Sequence, residues 1–373
     1  MMRLYRQLML FLLPIVLMLS AIIGSGYYIG ESMPLSSAFR MQVNGDDIVV
    51  FRPEWQRIDF VQYKVIGARI SDPDVLMLGS SRTLNFTSDM FVDDSFYNAG
   101  VVGSSIYAHR PMLQTLVESG QIPDVVLLGI DFMEYNAAKP ADNYATYSPS
   151  TYLFEGFRRT FNYWLAGDVP DLMTHSRTGD GFVWLGRTAI DAQDGYLVDG
   201  RWYRPSYVHD LEGYLNLADG YYQREDADQY YIRGTDVDTD TIAELRAFLA
   251  IAHEYDITVI GFTQPYYPLF ADRLRDNPEF TYRDLALLDI TALFTSYNFP
   301  LYTFPDIESY DGNADEFFDD WHYSELASVR MLTDMTEGSP EILGDYVDLD
   351  QLYDDIATAP NPLYIYTPYD YTP

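Results

Sequence analysis

The sequence predicts an α/β protein built on a parallel sheet, with one membrane-length apolar segment ahead of it. Three observations carry this. Short apolar runs recur, each bounded by turn residues, as in strands buried on both faces. Stretches with helical spacing alternate with them. No charge occurs from Leu8 to Ile29.

That first segment, "LMLFLLPIVLMLSAIIGSGYYI" (8–29), is just long enough to cross a hydrocarbon core of about 30 Å at about 1.5 Å per residue. Arg3 and Arg6 precede it and acidic residues follow. This charge order makes 1–7 a cytoplasmic tail and places the bulk of the chain outside, at the periplasmic or cell-surface side. Tyr27 and Tyr28 suit the outer interface. The alternative is a cleaved signal, with Gly24 and Gly26 near the cut and a secreted product. The run is longer than a usual signal core of about 7–15 residues, which favours an anchor.

Residues 30–70 read as a spacer and lead-in, with "DDIVVF" and "FVQYKVIGARI". The main domain spans 71–340. "PDVLMLG" (73–79) is the first buried strand. "FYNAGVVGSS" (96–105) is a second, ending in a glycine-rich turn. Met112, Leu113, Leu116 and Val117 share a helical face. "PDVVLLGIDF" (123–132) is a third strand. Residues 134–235, rich in Tyr, Asp and Gly, break the rhythm and read as a large insertion, a lid or ligand-facing subdomain. Within it "STYLFEGFRRTFNYWL" is helical. Its aromatics Tyr147, Tyr152, Phe154, Phe157 and Trp164 are expected in a core, with stacking on sugar rings as the alternative.

The rhythm resumes with "TIAELRAFLAIAHEY", where Thr241 and Glu244 form a capping-box pattern. "DITVIGFTQP" (256–265) is the next strand, stopped by Pro265. "FPLYTFPD" (299–306) is the last. "SELASVRMLTDM" (324–335) is a closing helix that Ser324 can cap. Residues 341–373 form a C-terminal tail, whose prolines and tyrosines follow no period.

Composition excludes several function classes. The 373 residues are 48% hydrophobic, enough for a substantial core and against general disorder. The net charge is −33, and Lys64 and Lys139 are the only lysines. Such a surface repels phosphate backbones, so nucleic acid is not an expected partner. Excess carboxylate with little lysine suits a saline medium. With no cysteine, disulfides, thiolate zinc sites and cysteine nucleophiles are excluded. Asp236, Asp238 and Asp240 alternate as in a calcium loop but lack its glycine and distal glutamate, and read as a solvated stretch. Asn85-Phe-Thr87 fits a glycosylation sequon at a chance frequency. No metal or cofactor is expected.

In an open parallel sheet, ligands bind beyond the carboxyl ends of the strands. Here these ends are Gly79-Ser80-Ser81, "NAGVVG" (98–103) and Gly129-Ile130-Asp131. Ser80 and Ser81 either cap the next turn or hold a nucleophile at the sheet's tip. Of the five histidines, His253 suits a helix C-terminus, His175 and His209 lie in the insertion, and His109 is early in a helix. His322 differs: it stands in "DDWH", three residues after Asp319. An Asp-x-x-His turn lets the carboxylate orient an imidazole that deprotonates a serine.

This set resembles the SGNH/GDSL hydrolase superfamily. "GSS" (79–81) matches the Gly-Asp-Ser block, "NAGVVG" the second block, "LGID" the third and "DDWH" the Asp-x-x-His block. The likeness covers about 73–133 and 256–336. It implies a three-layer sandwich of the SGNH/flavodoxin-like kind. It also implies Ser81 as nucleophile, His322 and Asp319 as its base and orienter, and an oxyanion hole from Ser81, Gly103 and Asp131. Ser80 replaces the block's Asp, and Asp131 its Asn. An ionised Asp131 cannot donate a hydrogen bond, so it is either protonated or serves another purpose. The "GSSR" form with an anchor resembles a divergent, membrane-anchored envelope branch that O-acetylates polysaccharides. Two functions follow as expectations. One is a serine-dependent acyl esterase or O-acyltransferase on cell-envelope or extracellular carbohydrate. The other is a non-catalytic accessory protein that binds a polysaccharide or a membrane-bound acyltransferase.

Overall fold

A computed structural model describes residues 2–53, 57–93, 95–139, 149–178, 181–204, 233–275, 277–319 and 321–366. His209, Tyr147, Asp320 and the last seven tail positions (367–373) lie outside them. In chain order the helices and strands begin with α1 (Met2–Tyr28), α2 (Leu35–Asn44), β1 (Ile48–Phe51), α3 (Arg57–Ser71), β2 (Val75–Leu78) and β3 (Phe96–Asn98). Next come α4 (Ile106–Glu118), β4 (Val125–Ile130), α5 (Pro149–Ala166), α6 (Val169–His175), β5 (Phe182–Leu185), α7 (Arg187–Ala192), β6 (Gly195–Tyr196) and β7 (Trp202–Tyr203). The series closes with α8 (Thr239–Glu254), β8 (Thr258–Thr263), α9 (Pro268–Leu274), α10 (Tyr282–Ser296), β9 (Leu301–Thr303), α11 (Glu325–Gly338), α12 (Pro340–Leu343) and α13 (Leu349–Thr358).

The chain forms two compact units, residues 1–63 with 145–198, and residues 64–144 with 199–373. In the first unit, α1 is one helix long and apolar enough to cross a membrane over Tyr5–Tyr28. The expected spacer is structured. β1 pairs in parallel with β5, Ile48 opposite Phe182 through Phe51 opposite Leu185, and Phe51 faces Tyr196 of antiparallel β6. Gln42 Nε2 donates to the carbonyls of Val49 (3.0 Å) and Tyr196 (2.8 Å), and Arg52 forms a buried ion pair with Asp194. The lead-in and part of the expected insertion thus share one small sheet. An apolar strand as short as "IVVF" needs that partner to bury its residues.

Of the aromatics expected in a core, Tyr152 is buried. Phe154 is 63% exposed and Trp164 46%, which corrects the core assignment for both.

The second unit holds a five-stranded sheet, every pairing parallel, in the order β3-β2-β4-β8-β9. β2 and β4 are buried at every position. Each fully buried Val, Leu or Met contributes roughly 1.5–3 kcal/mol of transfer free energy. Val75, Met77 and Leu127 join Phe86, Phe262, Val329 and Leu332 in one core. The insertion leaves and returns at one place: Asn136 bridges Val237, with Ala137 N–H donating to Asp236 O (3.0 Å). α8 begins earlier than the capping-box reading: Asp238 caps it, accepting from Asp240 N–H (3.0 Å), while Glu244 pairs with Arg110. One member of the supposed solvated aspartate run is therefore a helix cap.

The residues taken as a tail also belong here. Leu343, Val347 and Leu352, on and between α12 and α13, are in the core. Further on, Glu325 accepts from the N–H groups of Ile365 (2.8 Å) and Tyr366 (2.9 Å).

Candidate active site

From β2 the chain goes first to β3 on one flank and then to β4 on the other. Ligand sites in open parallel sheets form at such a reversal, beyond the carboxyl ends. Three glycines shape the place. A Cβ on Gly79 or Gly129 would stand 2.4 Å from Thr83 Cγ2, and one on Gly100 2.5 Å from Thr83 Oγ1. Their bare backbones let the turn Ser81–Asn85 settle onto the strand ends. Asn98, fully buried, clamps it there: its amide donates to the carbonyls of Thr83 (2.7 Å) and Phe86 (2.9 Å) and accepts from Gly100 N–H (2.9 Å).

Ser80 and Ser81 turn to different partners. Ser80 Oγ accepts from Arg82 N–H (3.3 Å) as a cap and donates to Asp131. Ser81, 8% exposed, points the other way, its Oγ 2.8 Å from His322 Nε2. His322 Nδ1 lies 2.7 Å from Asp319 Oδ2. Oδ1 of the same carboxylate accepts from the N–H groups of Trp321 (2.7 Å) and His322 (2.5 Å). The N–H groups of Trp321 and His322 therefore fix the carboxylate, and that carboxylate fixes the imidazole. Burial pushes the Asp319 carboxyl up. The His322 charge and these hydrogen bonds outweigh it and hold Asp319 below the usual carboxylate range. Such an acceptor selects the tautomer with the proton on Nδ1, leaving Nε2 to accept from a hydroxyl.

Asp131 sits at the end of β4, but not as a donor. Its Oδ1 accepts from Arg82 Nη1 (2.7 Å) and its Oδ2 from the Ser80 hydroxyl. Both of its side-chain oxygens are thus engaged as acceptors. Arg82 is fully buried and gathers the site's loops. Beyond Asp131 it donates to the carbonyls of Trp321 (2.9 Å) and Pro265. Its guanidinium lies 4.4 Å from the Trp321 ring centre, 4.9 Å from Tyr266 and 5.7 Å from Tyr323. Burial disfavours its charge, but Asp131, then the two tyrosines, more than offset this and raise its pKa.

Gly103 lies on an exposed turn with φ 62°, a left-handed conformation that glycine adopts without strain. Behind it Ser104 Oγ donates to Gly79 O (2.9 Å) and lies 2.9 Å from Nε2 of buried His109. Burial lowers the His109 pKa to about 4, against smaller upward pulls from the Gly79 carbonyl and Asp131. A neutral imidazole thus props the turn that carries Gly103.

The structure brings Ser81, His322 and Asp319 together and sends Asp131 to Arg82. Sequence reasoning assigned no role in the site to Arg82, Thr83, Asn98 or His109 as individual residues. A charged residue inside an otherwise buried block was the available signal for Arg82. Among the described residues, no group of three or more His, Asp or Glu side chains could hold a metal ion. Compared with known proteins, the chain matches no family model, and no curated protein sequence matches it.

Proposed function

We propose that the second unit is a serine-dependent acyl esterase or O-acyltransferase acting on cell-envelope or extracellular carbohydrate. The observation that carries this is the Ser81–His322–Asp319 relay at the strand ends. Ser81 Oγ attacks the acyl carbonyl while His322 Nε2 takes its proton. Asp319 holds the imidazole by Nδ1–H and stabilises the imidazolium. The alkoxide leaves with that proton, and acyl-Ser81 remains. Water, or a sugar hydroxyl, then gives its proton to His322 and attacks the acyl carbon; the acyl–Oγ bond breaks, Ser81 Oγ takes the proton back from His322, and acid or a new ester is released. The backbone N–H groups of Ser81 and Gly103 receive the oxyanion in this scheme. The likeness of the four blocks to SGNH/GDSL hydrolases supports the same reading, and the strand order of the sheet suits a flavodoxin-like core.

The reading includes α1 as an anchor with Arg3 and Arg6 on the cytoplasmic side, so that the catalytic unit faces the envelope. The competing reading is a non-catalytic accessory protein that binds a polysaccharide or a membrane acyltransferase. One observation favours it: Asp131 is committed to Arg82, so this position supplies no side-chain donor for an oxyanion.

Labelling with a fluorophosphonate probe, with aryl acetate cleavage in parallel, decides between them. The enzyme reading expects label on wild type, none on Ser81→Ala or His322→Ala, and label retained on Ser80→Ala. Wild type that takes no label and cleaves no ester at low or high salt would leave the accessory reading.

A further inference from the structure

The first unit carries an apolar face that its own core does not use. α5 turns Tyr152, Gly156 and Thr160 inward, toward α1 and the turn after it. The approach is close. A Cβ on Gly156 would stand 2.1 Å from Glu31 O, and one on Gly26 2.6 Å from Thr160 Oγ1. Arg159 Nε donates to Glu31 (2.9 Å), and Trp164 Nε1 to Ser25 Oγ (2.8 Å). Along α5 the partners thus run backward, from Glu31 through Gly26 to Ser25. The two helices are antiparallel, and the last turn of α5 lies beside the end of the apolar span.

Flanking this contact α5 exposes Leu153, Phe154, Phe161, Trp164 and Leu165, the last at 72%. At about 100° per residue these positions share one stripe roughly 120° wide. Glu155, Arg158 and Asn162 form the polar edge. Trp, Phe and Leu beside a polar edge with arginine are the residues that a membrane interface takes up. Position agrees with pattern. Tyr28 follows Leu8 by about 30 Å of helix, one hydrocarbon thickness, so Ser25 to Tyr28 mark the outer boundary, and Trp164 and Leu165 meet α1 there. Tyr27 and Tyr28 are exposed at the same level, as an aromatic belt requires.

We propose that α5 is a second membrane contact, the last turn of its stripe, Phe161, Trp164 and Leu165, resting in the outer interface of the bilayer that α1 crosses. This rests on the reading of α1 as a membrane anchor. It gives the first unit two points of attachment. α1 alone could rotate about its axis; α1 with α5 alongside could not.

The chain has no cysteine, so single cysteines can be labelled cleanly. The full chain is reconstituted in phosphatidylcholine vesicles, with an environment-sensitive fluorophore on Leu12→Cys, Phe161→Cys, Leu165→Cys or Asn162→Cys. Nitroxide-bearing lipids quench at shallow or deep positions. Expected are deep quenching at position 12, blue-shifted emission with shallow quenching at 161 and 165, and water-like emission at 162. Water-like emission at 161 and 165 together with deep quenching at 12 would overturn the α5 proposal and leave the anchor intact. Loss of quenching at 12 would remove the anchor and the proposal with it. A blue shift at 165 that follows protein concentration, insensitive to quencher lipid, would place a second copy on the stripe and also overturn it.

Discussion

Replacing Asp131 by asparagine tests what this residue does. Arg82 has no solvent-exposed side-chain surface and Asp131 has 6%. Removing one partner of a buried ion pair costs about 3–5 kcal/mol, because the other charge stays buried. Arg82 keeps two carbonyls and three aromatic faces, which places the loss near the lower end, at about 3 kcal/mol. The amide is also wrong in kind. Asp131 accepts from two donors, Arg82 and Ser80; asparagine offers one acceptor oxygen and turns an NH2 toward the other donor. Native stabilities of about 5–15 kcal/mol leave the variant folded. The assay is urea unfolding of Asp131→Asn, Arg82→Met and the double variant. Coupled charges make the double variant less destabilised than the two singles added, by about 2 kcal/mol or more. Additivity within about 0.5 kcal/mol would refute the coupling. An Asp131→Asn protein as stable as wild type and faster at ester cleavage would refute the whole assignment, and return this position to the oxyanion hole.

Three further outcomes follow from the same geometry. Gly129→Ala drives a methyl into Thr83 Cγ2 and should cost about 1–3 kcal/mol; Thr83→Ser deletes that methyl, so the double variant should recover most of the urea midpoint, and no recovery would show that the contact is not the cause. His109 is held neutral, its pKa lowered from 6.5 to about 4. Its contribution is complete above pH 6.5 and declines as pH falls toward 4, where the unfolded chain takes up a proton that the folded one refuses. The total is about 3 kcal/mol, and His109→Gln should flatten this part of the pH–stability curve; an unchanged slope would show that His109 is not its source. Asp319→Asn should keep the fold yet lose most probe labelling of Ser81, since the amide favours the tautomer with the proton on Nε2; undiminished labelling would mean that His322 does not need this partner.

How far the fold could be read in advance depends on where each element finds its partners. β2 and β4 are buried on both faces by the sheet's own helices, so their apolar runs are continuous and stand out. α11 begins at Ser324, whose hydroxyl accepts from Ala327 N–H (3.2 Å), a local device visible in the sequence. β1 was hidden because its neighbour β5 comes from the far side of the chain, and "IVVF" alone could be strand or linker. α10 escaped notice for another reason: its apolar residues do not keep to one face, and Leu285 and Leu288 are exposed. α12 and α13 were lost behind the prolines and tyrosines after them, though Leu343 and Leu352 are core residues.

The site divides along the same line. Asp319 and His322 are three residues apart, so one turn fixes their relation and the motif can be read as a string. Ser81 stands out because a pair of hydroxyls just beyond a buried strand is unusual enough to question. Arg82 has no such local logic. Its partners Asp131, Pro265 and Trp321 lie 49, 183 and 239 residues away. Two of the three offer backbone carbonyls, which every residue has and no sequence pattern displays. A fully buried guanidinium must find compensation for each donor it takes from water. Three chain segments supply it: the ends of β4 and β8 and the loop before α11. The same requirement that hides Arg82 from sequence reading makes it the residue through which those segments are held in register. The Trp321 carbonyl that it binds immediately precedes His322. We therefore read Arg82 as a positioning residue for the imidazole. Arg82→Lys, which keeps the charge but loses the fork, should lower kcat for an aryl ester more than it raises KM. A change confined to KM, or none in a folded variant, would remove that link between the ion pair and the relay.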